Sequence, residues 1–401
     1  MGDLEALAPD LGEALRFHDP VAIDGVPVSA TITPRDEDDL SAVLEALGDA
    51  RCAAIPLGAG TQLGLGNAPS RADCFVSLEA FSGIDELDAS EGVCHAGAGT
   101  PLAELRTRVR EAGWELPLDD AGRGGTLGGL LATASLAPRT LGFGRPRDVV
   151  LGCEIVLADG LRTRCGGRVV KNVTGYDMAK LYVGSIGAIG VITGAWLRLA
   201  PRSEAVRVLQ GEEQGDAEAI ALGGFAARLT TARSCLLCDE TRGMRATVEL
   251  AGAAASVDRD AGLLEQQGMR RADPSLRDAA ATRRYAGLVG AMRVVISALP
   301  TRLASCVMEL RGTNAELFVL PGLGLVCARG AGAEADVLFD AAARAARVGA
   351  GRMLCERAPH GAKRGRDVFA APPADAVLSR ALKARFDPNG VLNRGRFAGV
   401  V

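Results

Sequence analysis

Glycine stands at 58, 60, 64 and 66 in Ile55-Pro56-Leu57-Gly58-Ala59-Gly60-Thr61-Gln62-Leu63-Gly64-Leu65-Gly66, directly after the apolar run Ala53-Ala54-Ile55. Glycine reaches φ > 0 without a Cβ clash, so such a loop can turn successive backbone N–H groups toward one point and let a ligand approach the main chain. A pyrophosphate can be held that way without a lysine. A Walker loop needs Gly-Lys-Ser/Thr, and this stretch has no lysine. The G-x-G-x-x-G fingerprint fails too, because glycines 58, 60 and 64 are spaced G-x-G-x-x-x-G. A turn, Asn67-Ala68-Pro69-Ser70, and a strand-like run from Cys74 to Leu78 follow in place of a helix. Taken alone, the loop reads equally as a glycine-rich surface turn.

Three more glycine clusters follow. In Ala96-Gly97-Ala98-Gly99-Thr100-Pro101, Thr100 suits an N-cap and Pro101 the first position of a helix over 102–112. In the cluster from Asp119 to Thr133, Thr126 can cap a helix whose first turn is nearly bare of side chains, suited to an anion or a flat ring. Close helix–sheet packing is the alternative use of those glycines. The last cluster, Gly184-Ser185-Ile186-Gly187-Ala188-Ile189-Gly190-Val191-Ile192-Thr193, runs into a strand over 195–199. Four such turns within about 140 residues imply a long ligand contacted by backbone along much of its length.

The elements around these turns follow from periodicity. A strand over 28–33, a helix over 36–47 announced by Thr33-Pro34, and a strand over 53–57 make a β-α-β unit, with the first glycine turn at a strand's carboxyl end. Residues 149–157 and 162–165 read as a hairpin about Ala158-Asp159-Gly160. Beyond Pro201 the glycine clusters give way to alternating strand-like and helix-like segments, expected to form an antiparallel sheet with helices on one face. The tail is a helix over 374–386 followed by Asp387-Pro388-Asn389-Gly390-Val391-Leu392-Asn393-Arg394-Gly395-Arg396.

The 401 residues are enough for two domains, 48% apolar and 23% charged, with net charge −4. No basic run of nucleic-acid type occurs, no apolar run reaches the ~18–20 residues of a membrane span, and the acidic N-terminus lacks a signal-peptide n-region. A cytoplasmic protein that binds no nucleic acid is expected, at most peripheral to the inner membrane through partners. Of ten cysteines only Cys235-Leu236-Leu237-Cys238 has metal-ligand spacing, with no second pair or histidine to complete it. The cysteines read as small buried apolar residues, and no metal site is expected.

Pro56–Leu63, Ala96–Leu102, Thr126–Thr133, Val149–Gly160 and Val173-Thr174-Gly175-Tyr176-Asp177 through Thr193 resemble, in order, the FAD-binding domain of the vanillyl-alcohol oxidase / p-cresol methylhydroxylase superfamily. The resemblance implies an α+β chain: a two-lobed FAD-binding domain of the vanillyl-alcohol oxidase type over 1–201, an α+β cap or substrate domain with an antiparallel sheet over 202–372, and a C-terminal segment over 373–401 packing back on the first. It assigns to FAD Pro56, Leu57, Gly58, Ala59, Gly60, Thr61, Gln62 and Leu63 at the pyrophosphate. Pro117, Asp120, Gly125, Thr126, Gly128, Gly129, Ala132 and Thr133, then Gly187, Gly190, Val191 and Ile192, line the rest, with Asn393 from the tail.

The tail, with Gly365-Arg366-Asp367-Val368-Phe369 and Arg168-Val169-Val170-Lys171-Asn172, looks like the E-subunit family of bacterial glycolate oxidases (glycolate dehydrogenases). That family implies hydride transfer from the α-carbon of a small 2-hydroxy acid to flavin, beside a second flavoprotein subunit and an iron–sulfur subunit. Covalent-flavin members carry a histidine where this chain has Thr61 or Gln62, so non-covalent FAD is expected. The superfamily's 2-hydroxy-acid dehydrogenases also carry a His-His pair in the cap, which this chain lacks. Tyr176, Lys171 and His360 are the remaining candidates for catalysis, with packing, a solvated surface and an exposed loop as their structural alternatives. His95 reads as a satisfied strand histidine. Arg123, Arg139 and Arg145 could each hold a substrate carboxylate. A non-catalytic FAD-binding assembly or relay subunit, and a stand-alone FAD-linked oxidase of another alcohol, are the rival readings.

Overall fold

A computed structural model describes residues 2–169, 176–285, 290–370 and 372–397. The first unit holds two sheets. Strands β1 (Leu15–Ile23), β2 (Val26–Ile32), β3 (Ala54–Leu57) and β4 (Cys74–Ser77) are ordered β1-β2-β4-β3, the last three parallel. The helix Glu37–Asp49 crosses between β2 and β3 because Leu40, Val43, Leu44 and Leu47 make one apolar face, all buried. Its N-cap is Asp36, which accepts a hydrogen bond from Asp39 N at 2.9 Å, so the helix begins one residue after the expected 36 and the cap is Asp36 rather than Thr33.

Strands β5 (Ile84–Asp88) and β6 (Val93–Gly97) pair antiparallel at one side of the second sheet. The helix Leu102–Glu111 follows, then β7 (Trp114–Glu115) and the helix Leu127–Thr133. Pro101, not Thr100, holds the N-cap position of the first of these helices. The Thr100 hydroxyl is used instead across the chain, accepting from Gly83 N and donating to Gly83 O. Strands β8 (Val150–Val156), β9 (Arg162–Gly166) and β10 (Val191–Arg198) complete the antiparallel order β5-β6-β10-β8-β9, and β11 (Ala200–Pro201) pairs with β7. One core joins both sheets and takes in Val391 and Leu392 from the tail.

The rest of the chain builds an eight-stranded antiparallel sheet from β12 (Ala205–Gln210), β13 (Ala232–Glu240), β14 (Gly243–Gly252), β15 (Arg270–Ala272), β16 (Met292–Ser297), β17 (Glu316–Leu320), β18 (Leu325–Gly330) and β19 (Met353–Arg357). Their order is β15-β12-β14-β13-β17-β18-β16-β19. Helices Asp216–Ala226, Ala254–Gln266, Leu303–Arg311 and Ala335–Val348 cover one face. The expectation of helices on one face alone needs correction. Leu236, Cys238, Phe318, Leu320, Leu325 and Cys327 on the opposite face are also buried, against Leu136 of the first unit and Ala280 of the helix Ser275–Arg283. The cause is legible in β13, whose consecutive apolar residues 235–238 leave no polar face. Cys235 and Cys238 therefore sit in different cores, on opposite sides of the sheet.

After the helix Pro373–Phe386 the chain returns to the first unit. Ala54 N donates to Val391 O at 2.7 Å and Asn393 N to Ala54 O at 2.8 Å, extending the sheet beyond β3. Lys383 and Asp387, both buried, form an ion pair. Lys383 also donates to Ala188 O and Leu392 O, and Asp387 accepts from Val391 N and Leu392 N. Burial pushes the Lys383 amine below its ordinary range despite Asp387. Asp387→Asn would strand that charge, and urea denaturation should show a loss of about 3–5 kcal/mol. The double variant with Lys383→Met should recover most of it; equal stability of wild type and single variant would contradict this role.

His95, on β6, lies 3.0 Å from Glu154 and 2.7 Å from Asp85, with Trp196 beside the ring and Arg164 beyond Glu154. The hydrogen bond to Glu154, opposed by burial and reinforced by Asp85, holds the imidazole above its ordinary range, and the same contact holds Glu154 below its own. The histidine's contribution is complete below pH about 6.5 and lost as pH rises through its raised folded value. The carboxylate's is complete above about 4.3 and lost as pH falls through its lowered value. The gap in melting temperature between wild type and His95→Gln should therefore be widest near pH about 5–6 and narrow toward pH 9. A gap independent of pH would remove the ion pair from the account.

Candidate cofactor cradle and cap-side cluster

The strand β3 ends at Leu57, and the turn that follows is shaped by its contact with the Leu127–Thr133 helix. A Cβ at Gly58 would lie 2.3 Å from Thr126 Oγ1, so only glycine lets the two segments meet. Thr126 caps its helix, accepting from Gly129 N, as its sequence position predicts. Gly128 N donates to Ala98 O, so this glycine cluster is a packing joint as well. Gly60 has φ +70°, which places its N–H in a turn closed by Leu63 N to Gly60 O.

Two buried cations hold the outer side of this loop. Arg396 Nη2 donates to Leu63 O and Leu65 O, and Lys363 Nζ to Gly64 O and Gly66 O, so four successive carbonyls are taken alternately. Lys363 also pairs with Asp24 at 2.7 Å. Burial lowers both cations below their ordinary ranges, Asp24 opposing it.

The inner side is a cavity of about 90 Å³ lined by Pro56, Leu57, Gly58, Ala59, Gly60, Thr61, Gln62 and Leu63. Ile55, Leu65, Thr126, Gly129, Ala132, Thr133, Ile186, Asn393 and Arg396 complete its wall. A second hollow of about 60 Å³ shares Pro56, Gly58, Thr126, Gly129, Ala132 and Ile186 and adds Gly128, Gly187, Val191 and Ile192. Seventeen of the positions expected to contact a cofactor thus line one continuous groove. Pro117, Asp120, Gly125 and Gly190 do not. Asp120 ties its own turn, paired with Arg106 at 2.6 Å and accepting from the N–H groups of Gly122, Gly124 and Gly125. Burial raises its carboxyl, but those partners outweigh it and hold it below the usual range. Gly190 packs on Ile155, Leu157 and Tyr182.

Sequence reasoning missed Ile186 and Arg396. Ile186 has φ +51° and Asn393 φ +45°, both in the left-handed region that a β-branched residue in particular avoids. They hold one another: Asn393 Nδ2 donates to Ile186 O at 2.7 Å, and Ile186 N to Ala132 O at 2.7 Å. Asn393 Oδ1 and Arg396 Nη1 are buried on this wall without a partner, as expected of groups that serve a bound polar molecule.

Of the catalytic candidates, Tyr176 is 94% exposed and reaches neither cavity wall. Lys171 lies outside the described residues. His360 is half-buried rather than an exposed loop residue. It lines a cavity of about 350 Å³ with Gly60–Leu65, Arg293 and Glu356, and its Nδ1 is buried without a partner.

A further cluster sits where the cap meets the groove. Gln62 Oε1 accepts from Ser135 Oγ and Arg123 Nη1, and Gln62 Nε2 donates to Thr133 Oγ1. The Arg123 guanidinium is 4.4 Å from the Tyr285 ring centroid, with Arg284 at 4.9 Å and Arg293 at 5.1 Å. Arg284 donates to Glu356 Oε1 at 3.2 Å and to Leu136 O. Burial, against Arg284 and Arg123, pushes the Tyr285 phenol up to about 12. Glu356 lines both the cavity beside His360 and another of about 400 Å³ that includes Thr133–Leu136 and Arg284. Arg139 is elsewhere, bidentate on Glu249, and Arg145 is exposed. Only Arg123 of the three arginines reaches the cluster. Its partners from the cap carry no motif and become visible only when β16, β19 and the Ser275–Arg283 helix converge.

Residues 28–166 match the family model of the FAD binding domain. Glycolate oxidase subunit GlcD of Bacillus subtilis (strain 168) is 33% identical over 181 residues, 45% of this chain and 38% of that protein. Glycolate oxidase subunit GlcE of Escherichia coli (strain K12) is 37% identical over 139 residues, 34% of this chain and 40% of that protein. The chain spans about two fifths of the length of these relatives. A structure of p-cresol methylhydroxylase with substrate bound superposes with a TM-score of 0.78 at 15% identity, covering 98% of this chain and 96% of that one. No helix of the described residues is long and apolar enough to cross a membrane. The chain carries an FAD-binding domain, set in the fold of p-cresol methylhydroxylase.

Proposed function

We propose that the chain holds FAD non-covalently in the groove and acts as an FAD-dependent oxidoreductase on the CH–OH group of a small 2-hydroxy acid. In this reading it is a subunit of a glycolate-dehydrogenase-type complex, with a second flavoprotein subunit and an iron–sulfur subunit as partners. Residues 1–201 are the FAD domain, 202–372 the cap, and 373–401 the returning segment. The observation that carries the reading is the continuity of a backbone-lined groove with arginine-lined cavities under the cap. The relatives named as glycolate oxidase subunits support the substrate class.

The residues present fit FAD: Gly58, Ala59 and Gly60 line the groove with little side-chain bulk, and Asn393 Oδ1 and Arg396 Nη1 stand without a hydrogen bond on its wall. When bound, the flavin supplies the two-electron acceptor. The chain's own part is to bind the pyrophosphate along Gly58–Leu63, to exclude water with the cap sheet, and to orient the acid by its guanidinium groups. Thr61 and Gln62 offer no atom that forms a stable flavin bond.

A second reading, a relay or assembly subunit, is favoured by the histidines. All three are placed: His18 against Phe75, His95 between Asp85 and Glu154, and His360 at the cavity with its Nε2 bonded to Arg364. Anaerobic addition of glycolate separates the readings, since bleaching of the flavin band requires turnover and its absence in a flavin-loaded protein favours the relay.

The purified chain should show a flavin spectrum that moves to the supernatant on acid precipitation; colour kept in the pellet would contradict the non-covalent assignment. Gly60→Asp places a carboxylate against the pyrophosphate and should yield apoprotein, whereas Gly60→Ala shares the backbone strain without the charge and should retain most FAD. Normal FAD content in Gly60→Asp would remove the loop from the cofactor site.

A further inference from the structure

Five of the buried polar atoms that lack a partner lie in one place: Arg123 Nη2, Arg284 Nε, Arg293 Nε, Tyr285 Oη and Glu356 Oε2. Arg284 and Glu356 are at least nine-tenths buried, and Arg293 Nε stands 3.7 Å from Glu356 Oε2, too far for a hydrogen bond. Unpaired buried donors and acceptors cost free energy unless a ligand or water satisfies them. Arg284 and Glu356 line one cavity and Arg293 and Glu356 the next, so Glu356 stands between the two, while Arg123 and Tyr285 line neither. The cluster sets three guanidinium groups against one carboxylate, so it has room for an anion. It also holds one acceptor, Glu356 Oε2, which has Arg293 as an ion-pair partner but takes no hydrogen bond among the described residues.

We infer that the Arg123–Arg284–Arg293–Tyr285–Glu356 cluster is the recognition site for a 2-hydroxy acid, the guanidinium groups binding its carboxylate and Glu356 accepting its hydroxyl hydrogen. This inference rests on the substrate class proposed above and names the residues that read it. The donors and the acceptor suit that class: an anion beside a hydroxyl donor is what three cations and one carboxylate oxygen without a hydrogen bond select. A plain carboxylic acid fills the donors and leaves Glu356 unsatisfied. A 2-oxo acid sets a second acceptor against the carboxylate. Glu356 therefore discriminates reduced from oxidised ligand, and the arginines set overall affinity.

The test is calorimetric titration of the full chain with glycolate and acetate, anaerobically and with any flavin fully reduced, so that no turnover occurs. Flavin content is read separately from the absorption spectrum, so this inference and the FAD reading fail independently. Wild type should bind glycolate about 10- to 100-fold more tightly than acetate. Glu356→Met should bring the two together while each anion binds at least as tightly as acetate did, because a competing carboxylate is gone. Arg284→Met should weaken both by about 10- to 100-fold at unchanged flavin content. Should Arg284→Met fold poorly, Arg293→Met and Tyr285→Phe offer the same comparison from β16 and from the ring. No carboxylate binding by the flavin-loaded wild type would overturn the inference. So would a glycolate-to-acetate ratio that Glu356→Met leaves unchanged, or loss of flavin in the arginine variants without any change in carboxylate binding.

Discussion

Leu63, Gly64, Leu65 and Gly66 point their carbonyls alternately at Arg396 and Lys363, two cations buried by the rest of the fold. A loop rich in glycine has many conformations of similar energy, and its N–H groups converge on one point only when something selects the right one. Fixing the oxygens from outside does that without putting a side chain into the groove. The two cations come from opposite ends of the architecture, Lys363 from the short helix His360–Lys363 at the edge of the cap and Arg396 from the returning tail. Burying each is costly, and each is compensated only where cap, tail and first unit meet. The groove is therefore a property of the assembled molecule.

The contacts between cap and first unit follow the same logic. Glu249 on β14 is buried and receives Arg139 through both oxygens, at 2.8 and 2.6 Å, and Arg277 at 2.8 Å. Arg233 reaches Glu115 at 2.8 Å, and Arg284 reaches Leu136 O. Buried ion pairs contribute little net stability relative to apolar replacements, but they tolerate little misplacement, since a displaced partner leaves an uncompensated charge. Here they fix the angle at which the cap sheet lies over the groove. Its apolar inner face, around Phe318 and Leu236, supplies the burial that directional bonds do not.

Local signals were enough to read the glycine turns, the Thr126 cap and the β-α-β start, because each depends on residues adjacent in the chain. The left-handed residues at Ile186 and Asn393 were not readable, since isoleucine disfavours that region and both are held by partners about 50 and 200 residues away. Thr100 misled for a related reason: a good capping residue was taken by a cross-chain bond to Gly83. Asp120 stands in a family-like turn, yet its carboxylate serves that turn and not the groove wall. The cap-side arginines are individually unremarkable in a chain with 45 basic residues. Only their convergence on one tyrosine ring distinguishes them.

Val391 and Leu392 lie in the core of the first unit, and Asn393 and Arg396 form part of the groove wall. A ribosome delivers Ala54 more than three hundred residues before Leu392, its neighbour across the sheet edge. Domains commonly fold in order as they emerge, N-terminal first. This one cannot close its groove wall on that schedule, because the closing pieces are translated after the whole eight-stranded sheet. During synthesis the edge of β3 beside Ala54 has no strand to pair with, and the left-handed turn at Ile186 has no asparagine to hold it. A complete groove wall is thereby confined to chains that have been translated through Arg396.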